Sequence, residues 1–485
     1  MEIVKIKKVD ETFIKIIADP SIVMELAQEF IFDVPGAQFS PKFKNKIWDG
    51  KIRLLNPMTG QLYAGLLFRI EEICKERNFT IEYLSDFSSA EFSVKECEDF
   101  IKKINSPIEP RDYQLEAFIH SVRNHRSLLL SPTGSGKSYI IYLLSRFYAT
   151  KTLIIVPTIN LVSQLYTDFS EYGFDSNKYV HRIYYGEDKN TDKPITISTW
   201  QSIYNLDEKY FSQFKLVIGD ECHLFSAKSL KSIMEMCNKT KYRFGFTGTL
   251  DGTKTNEMVL EGLFGPSKRV ATTSDLIEKG YLSKLKIKAI VFSYSDEVKK
   301  IISKKFKEYK DEIKFITDLP ERNRFISNLS LSLKGNTLIL FRFTDQGKNI
   351  YEKIIFENPK KNVFFINGDI KGDVRETIRK TIETEENAII VASVGTTSTG
   401  VNIKKLHNII FASPSKARIK NLQSIGRVLR TSDDKTHATL FDIADDFSFK
   451  SRKNHTLTHF MERISTYNEE QFPYKIYNVS LTIKQ

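Results

Sequence analysis

The chain has 485 residues, 41% of them hydrophobic, and its 72 Lys and Arg exceed its 60 Asp and Glu to give a formal charge of +12. That length predicts roughly three domains, and the apolar content excludes a chain that is disordered by default. The basic excess points to an anionic partner, nucleic acid first, with a surface merely solvated by lysines as the alternative.

Four cysteines, Cys74, Cys97, Cys222 and Cys237, lie far apart with neither a CxxC pair nor zinc-ligand spacing, and they read as reduced thiols. The N-terminus has no signal-like apolar core and no apolar run reaches membrane-spanning length, so no membrane partner and a cytoplasmic location are expected.

Residues 1–95 lack a strand-and-helix alternation and are expected to form a small separate α+β domain. Within it, FSPKFKNKIWDGKIRLL (39–55) interleaves Lys42, Lys44, Lys46, Lys51 and Arg53 with Phe43 and Trp48. Such a segment supplies phosphate neutralisation and rings that stack on unpaired bases. The alternative places Trp48 in a small core with the lysines outside.

From residue 127 onward, short apolar runs alternate with helical stretches, the pattern of parallel strands joined by crossover helices. Runs at 127–130, 152–156, 195–198, 216–219 and 243–246 predict one α/β lobe (96–282). Runs at 286–292, 337–341, 362–366, 388–392, 408–412 and 438–441 predict a second (283–450). The polar stretch 272–285, with Gly280, reads as a hinge, and the lysine-rich stretch 298–314 as an exposed helical insertion. The tail 451–485 carries Tyr467, Phe472, Tyr474 and Tyr477, expected to pack against the second lobe.

Three motifs carry chemistry. SPTGSGKS (131–138) follows an apolar strand and opens a helix, the order a phosphate loop requires. Thr133, Gly134, Ser135 and Gly136 would curl the backbone so that its amides face phosphate oxygens at a helix N-terminus. Lys137 would neutralise the β- and γ-oxygens, and Ser138 would offer its hydroxyl to Mg²⁺. The strict GxxxxGK[ST] pattern is not met, because Ser131 stands at its first glycine.

Asp220-Glu221-Cys222-His223 sits at the end of the apolar run 216–219, where open α/β sheets place their ligands. Asp220 is the expected Mg²⁺ ligand and Glu221 the base for the attacking water, against the alternative of a helix cap. QSIGRVLR (423–430) spaces Arg427 and Arg430 three apart, on one face if helical. Planar guanidiniums there would stabilise charge on a transferring γ-phosphoryl group; the alternative is a solvated surface helix.

In identity and order these motifs resemble those of superfamily-two DExH helicases, over residues 111–446. The resemblance implies two RecA-like parallel-sheet lobes clamping ATP, with Mg²⁺, and an α/β fold class overall. It makes RDYQ (111–114), including Arg111 and Gln114, an adenine-reading element, and Thr247-Gly248-Thr249 a coupling element with His223 between it and the arginines. Pro157, Thr158, Thr199, Trp200, Gln201, Phe341, Gly368 and Thr399 resemble strand-tracking positions, which grip phosphates largely without regard to sequence. Gly400 and Asn402 would lie beside the nucleotide, where Asn402 replaces the Asp that many members carry.

The segment 39–55 looks like the opening domain of UvsW-type phage helicases, which remodel branched DNA. That resemblance implies forked and four-way DNA as partners and, if the gene is a phage's, the host cytoplasm; the sequence does not give the oligomeric state, and a monomer is favoured. An RNA helicase and an ATP-switched binder remain the rivals, since backbone tracking does not itself separate ribose from deoxyribose.

Overall fold

At the N-terminus, period-two alternation sends Val4, Ile6, Ile14 and Ile16 to one face and lysines to the other. β1 (Ile3–Lys8), β2 (Phe13–Ile17), β3 (Ile31–Asp33), β4 (Lys51–Arg53), β5 (Gln61–Tyr63) and β6 (Thr80–Tyr83) follow in sequence. They make a four-stranded sheet in the order β5-β2-β1-β6 and a separate β3-β4 pair. The computed structural model describes residues 2–184, 187–226, 228–250, 252–306, 308–370, 372–398, 403, 405–415, 417–431, 435, 437–450 and 452–483. They group into two units, 1–131 with 136–271 and 132–135 with 272–485.

The first unit continues with β7 (Arg126–Leu130), β8 (Thr152–Val156), β9 (Val180–Ile183), β10 (Ile195–Thr199), β11 (Leu216–Asp220), β12 (Tyr242–Thr247) and β13 (Ser267–Arg269). All pair in parallel, in the order β13-β7-β12-β11-β8-β10-β9. Successive residues feed opposite faces: Leu128, Leu153, Ile155 and Val217 join one apolar cluster, and Leu129, Ile154, Val156 and Ile218 the other.

The first of those clusters also contains Val4, Ile6, Ile14, Ile16 and Leu66, so the N-terminal sheet and the first parallel sheet share a core. Gly65 marks the closest approach: a Cβ there would lie 2.1 Å from the Glu261 carbonyl oxygen on helix Lys254–Phe264. Arg243, fully buried, crosses the same seam, donating to Thr12 Oγ1 (2.7 Å) and to the Thr240 (3.1 Å) and Met234 (3.2 Å) carbonyls.

The second unit contains β14 (Lys284–Ser293), β15 (Thr337–Phe341), β16 (Val363–Ile366), β17 (Ile389–Ser393), β18 (Asn408–Phe411), β19 (His437–Asp446) and β20 (Tyr474–Ser480). It too is wholly parallel, in the order β16-β17-β15-β18-β19-β14-β20. The strands predicted from apolar runs are present in both sheets. β9, β13 and β20 were not predicted, being short or edge strands with polar residues.

Two predicted features differ in detail. The stretch 272–285 holds helix Thr273–Glu278 and the start of β14, and the lysine-rich insertion is two helices, Asp296–Lys305 and Tyr309–Asp318. Ile302 and Ile313 turn inward while Ile301 is exposed. No helix among the described residues is long and apolar enough to cross a membrane. All four cysteines are free and buried.

Candidate active site

The C-terminal edge of the first parallel sheet gathers the nucleotide motifs because their strands, β7, β12 and β11, are neighbours. After β7 the loop passes Gly134 (φ +87°) and Gly136 (φ +77°), both left-handed, and Gly136 caps helix Lys137–Tyr148. Ser131 N donates to the Thr247 carbonyl (2.8 Å), so the residue at the missing glycine ties β7 to β12. Thr133, Gly134 and Ser135 lie in the loop itself, Ser135 fully buried.

Lys137 Nζ donates to Glu221 Oε1 at 2.9 Å and lies 3.8 Å from Asp220 Oδ1. Burial works against its charge, but Glu221 and then Asp220 outweigh that and hold its pKa above the ordinary value. Asp220, 6% exposed at the end of β11, is pushed up to about 6 by burial, with Lys137 opposing the rise. Its Oδ1 accepts the Glu221 amide at 2.9 Å. Glu221 has φ +50°, a left-handed backbone uncommon for a side chain of its size.

The chain of contacts runs on. Thr247 Oγ1 lies 3.1 Å from the Thr249 carbonyl, which accepts from it, and 3.0 Å from His223 Nδ1. The same His223 Nδ1 faces Glu221 Oε2 at 3.4 Å. Lys137, Glu221, His223 and Thr247 thus form one polar line. The hard oxygens of Asp220 and of Ser138, whose Oγ sits 2.7 Å from Tyr172 OH, suit Mg²⁺.

The residues of the expected adenine-reading element lie beside the phosphate loop. Gln114 is 4% exposed, with Oε1 accepting the Arg111 amide (2.9 Å) and Nε2 donating to the Gly136 carbonyl (3.2 Å). Both ends of its amide are engaged by the protein, and Arg111 Nη1 bonds Tyr113 OH at 2.8 Å. Gln114 here braces the phosphate loop.

The expected strand-tracking residues of this unit follow β8, which adjoins β11, and β10, which adjoins β8. Thr158, next to Pro157, caps helix Ile159–Glu171 by accepting the Leu161 amide. Thr199 is nearly buried and shares its hydroxyl with Ser202 Oγ (2.8 Å). Trp200 is half-buried, packed edge-on against Tyr204, and Gln201 is exposed.

In the second unit, Phe341 is fully buried and stacks on Phe365 at 5.4 Å, so its ring belongs to the core. Gly368 lies in an exposed turn after β16. Thr399, Gly400 and Asn402 lie outside the described residues. The arginine motif is only partly helical: helix Arg418–Val428 carries Arg427, whereas Arg430 follows its C-cap, Leu429, so the two do not share a helix face. Sequence reasoning missed Lys435, whose ammonium donates to the Arg430 (2.7 Å) and Val428 carbonyls and so caps that helix. A lone lysine past the motif gives no signal of this.

The N-terminal basic segment is laid out on the surface. Lys42, Lys44, Lys46, Lys51 and Arg53 are exposed, and so are Phe39 (75%), Ile47 (74%) and Phe43. Trp48 is half-buried and anchors the turn, its Nε1 donating to the Lys51 carbonyl at 2.8 Å. Arg53 is paired with Asp49 at 2.5 Å, which holds that carboxyl down at about 2.

Comparison with known proteins matches residues 3–84 to the family model "DNA helicase UvsW, N-terminal", 107–252 to "Type III restriction enzyme, res subunit" and 321–432 to "Helicase conserved C-terminal domain". The ATP-dependent DNA helicase uvsW of Enterobacteria phage T4 is 34% identical over 99% of this chain and 100% of its own. The chain belongs to the UvsW-type DNA helicases. The crystal structure of T4 UvsW aligns over 98% of this chain and 99% of its own, with a TM-score of 0.52 and 34% identity. The DNA 3'-5' translocase XPB2 of Sulfurisphaera tokodaii is 32% identical to this UvsW-type chain over 43% of it and 46% of its own length.

Proposed function

We propose that this chain is an ATP-driven motor that moves along DNA and remodels forks and four-way junctions in recombination, repair or replication. The observation that carries the reading is the shared sheet edge. Lys137, Glu221, His223 and Thr247 form a continuous polar line there, and the expected strand-tracking residues follow the adjoining strands β8 and β10. Chemistry at one end of that edge is mechanically close to the nucleic-acid contacts at the other.

In the proposed cycle Lys137 exchanges Glu221 for the β- and γ-oxygens of ATP. Glu221 is then released to orient the attacking water and take its proton. Ser138 and Asp220 would hold Mg²⁺, which supplies charge neutralisation on those oxygens. Arg427 and Arg430, carried by the second unit, stabilise charge on the γ-phosphoryl group, and His223 passes the state of the Glu221 carboxylate to Thr247. The exposed lysines and rings of the 39–55 segment hold DNA beside the junction. One copy suffices for this cycle.

ATP hydrolysis and strand displacement on single-stranded, forked, four-way and RNA substrates of matched sequence test the proposal. Forked and four-way DNA should stimulate turnover most. Equal or greater stimulation by structured RNA overturns the DNA assignment.

A further inference from the structure

Helix His455–Glu469, in the tail to which the sequence assigns no role, is anchored by polar contacts along its length. At its start, the Glu312 carboxylate accepts from the His455 amide (3.0 Å), the Thr456 amide (2.8 Å), Thr456 Oγ1 (2.7 Å) and Asn454 Nδ2 (2.9 Å). An anion at a helix N-terminus fixes both position and direction.

Further along, Arg463 and Tyr467 are four residues apart and share one face. Both reach Asp442 on β19, which is fully buried: Arg463 Nη2 to Oδ1 at 2.8 Å, Arg463 Nε to Oδ2 at 2.8 Å, and Tyr467 OH to Oδ2 at 2.8 Å. Arg463 Nη1 then donates to the Ser415 carbonyl at 2.6 Å. Ser415 lies in the connection from β18 to the helix that carries Arg427. At the end of the terminal helix, Glu469 bonds Arg418 and Glu470 lies 3.6 Å from it. Arg418 is the first residue of that same arginine helix.

A buried ion pair contributes little to stability over apolar packing, but its direction is strict. The Arg463 fork joins Asp442 and Ser415 in one plane, and no apolar residue could do both. We propose that Arg463 is a positioning residue for the arginine motif. The terminal helix holds the entry of the arginine helix through Ser415 and Arg418, while Lys435 caps its exit. The rate of ATP hydrolysis then depends on a helix that never touches nucleotide. This rests on the reading of Arg427 and Arg430 as stabilisers of the γ-phosphoryl group.

The test uses the full chain. Arg463→Lys keeps a positive charge beside Asp442 but cannot also reach Ser415. Arg418→Glu breaks the partly exposed contact, and adding Glu469→Arg and Glu470→Lys restores it with the charges exchanged. For each variant, thermal unfolding, nucleotide-free DNA binding, kcat and KM for ATP, and binding of ADP with and without fluoroaluminate are measured. Arg463→Lys and Arg418→Glu should lower kcat by about tenfold or more. Both should lose the tightening of ADP by fluoroaluminate and keep KM and DNA affinity; Arg418→Glu should keep the unfolding temperature, Arg463→Lys should lower it by a few degrees while staying folded at the assay temperature, and the exchanged pair should recover turnover.

Unchanged kcat in both single variants overturns the inference, as does a loss that accompanies unfolding and that the exchange does not recover. Arg427→Ala is measured in parallel. If it turns over ATP at the parental rate, the failure lies in the underlying reading of the arginines; if it is inactive, any failure belongs to the terminal helix alone.

Discussion

Glu221 is held twice over, by Lys137 at 2.9 Å and by His223 at 3.4 Å, on a backbone with φ +50°. In this arrangement its carboxylate neutralises Lys137, the cation proposed to receive the triphosphate. Replacing it by Gln keeps the shape and removes the base. Glu221→Gln should bind ATP at least as tightly as the parent while kcat falls about a hundredfold or more, the usual range for removal of a general base. Nucleotide titration and steady-state ATPase on forked DNA check this, and undiminished turnover would remove Glu221 from the chemistry. Residues such as Lys137, Asp220 and Glu221 were legible because strand, loop and helix order within a few residues fixes where they point. Gln114, Phe341 and Arg430 were not. Their orientation is decided by Gly136, by Phe365 and by the end of a helix, none of which a short motif encodes.

At the scale of elements, the segment from Phe39 to Arg53 keeps its lysines and three apolar side chains in water while Trp48 and Gly50 fold it. A Cβ at Gly50 would sit 2.9 Å from the Phe43 ring, so that close turn also sets where the ring stands. Neutralising Lys42, Lys44 and Lys46 should weaken duplex binding. The slope of log affinity against log salt should fall by about 0.9 for each DNA phosphate left without its lysine. Fluorescence anisotropy over a salt series measures both, and an unaltered slope means these lysines only solvate the domain. The strands missed by sequence reasoning have a common physical cause. β13 is three exposed polar residues and β20 is an edge strand with most side chains in solvent, so neither shows the apolar run by which interior strands announce themselves.

At the scale of the whole molecule, the N-terminal sheet and the first parallel sheet share one apolar cluster, crossed by Arg243 and closed at Gly65. A fragment of residues 1–271 should therefore unfold in a single calorimetric transition, because neither sheet can lose its partner and keep its own core covered. Two separated transitions would show that the seam is too weak to couple the sheets.

The same seam has a mechanical meaning. Thr255 Oγ1 donates to the Asp33 carbonyl at 2.7 Å, and Phe32 and Leu54 enter the shared core, so the stem of the basic segment is bolted to the sheet whose strand β11 ends in Asp220. With no slack joint in between, any tilt of that sheet sweeps Phe39 and Ile47 through an arc like the tip of a stylus. A small rotation of the sheet edge becomes a larger displacement at those two exposed side chains.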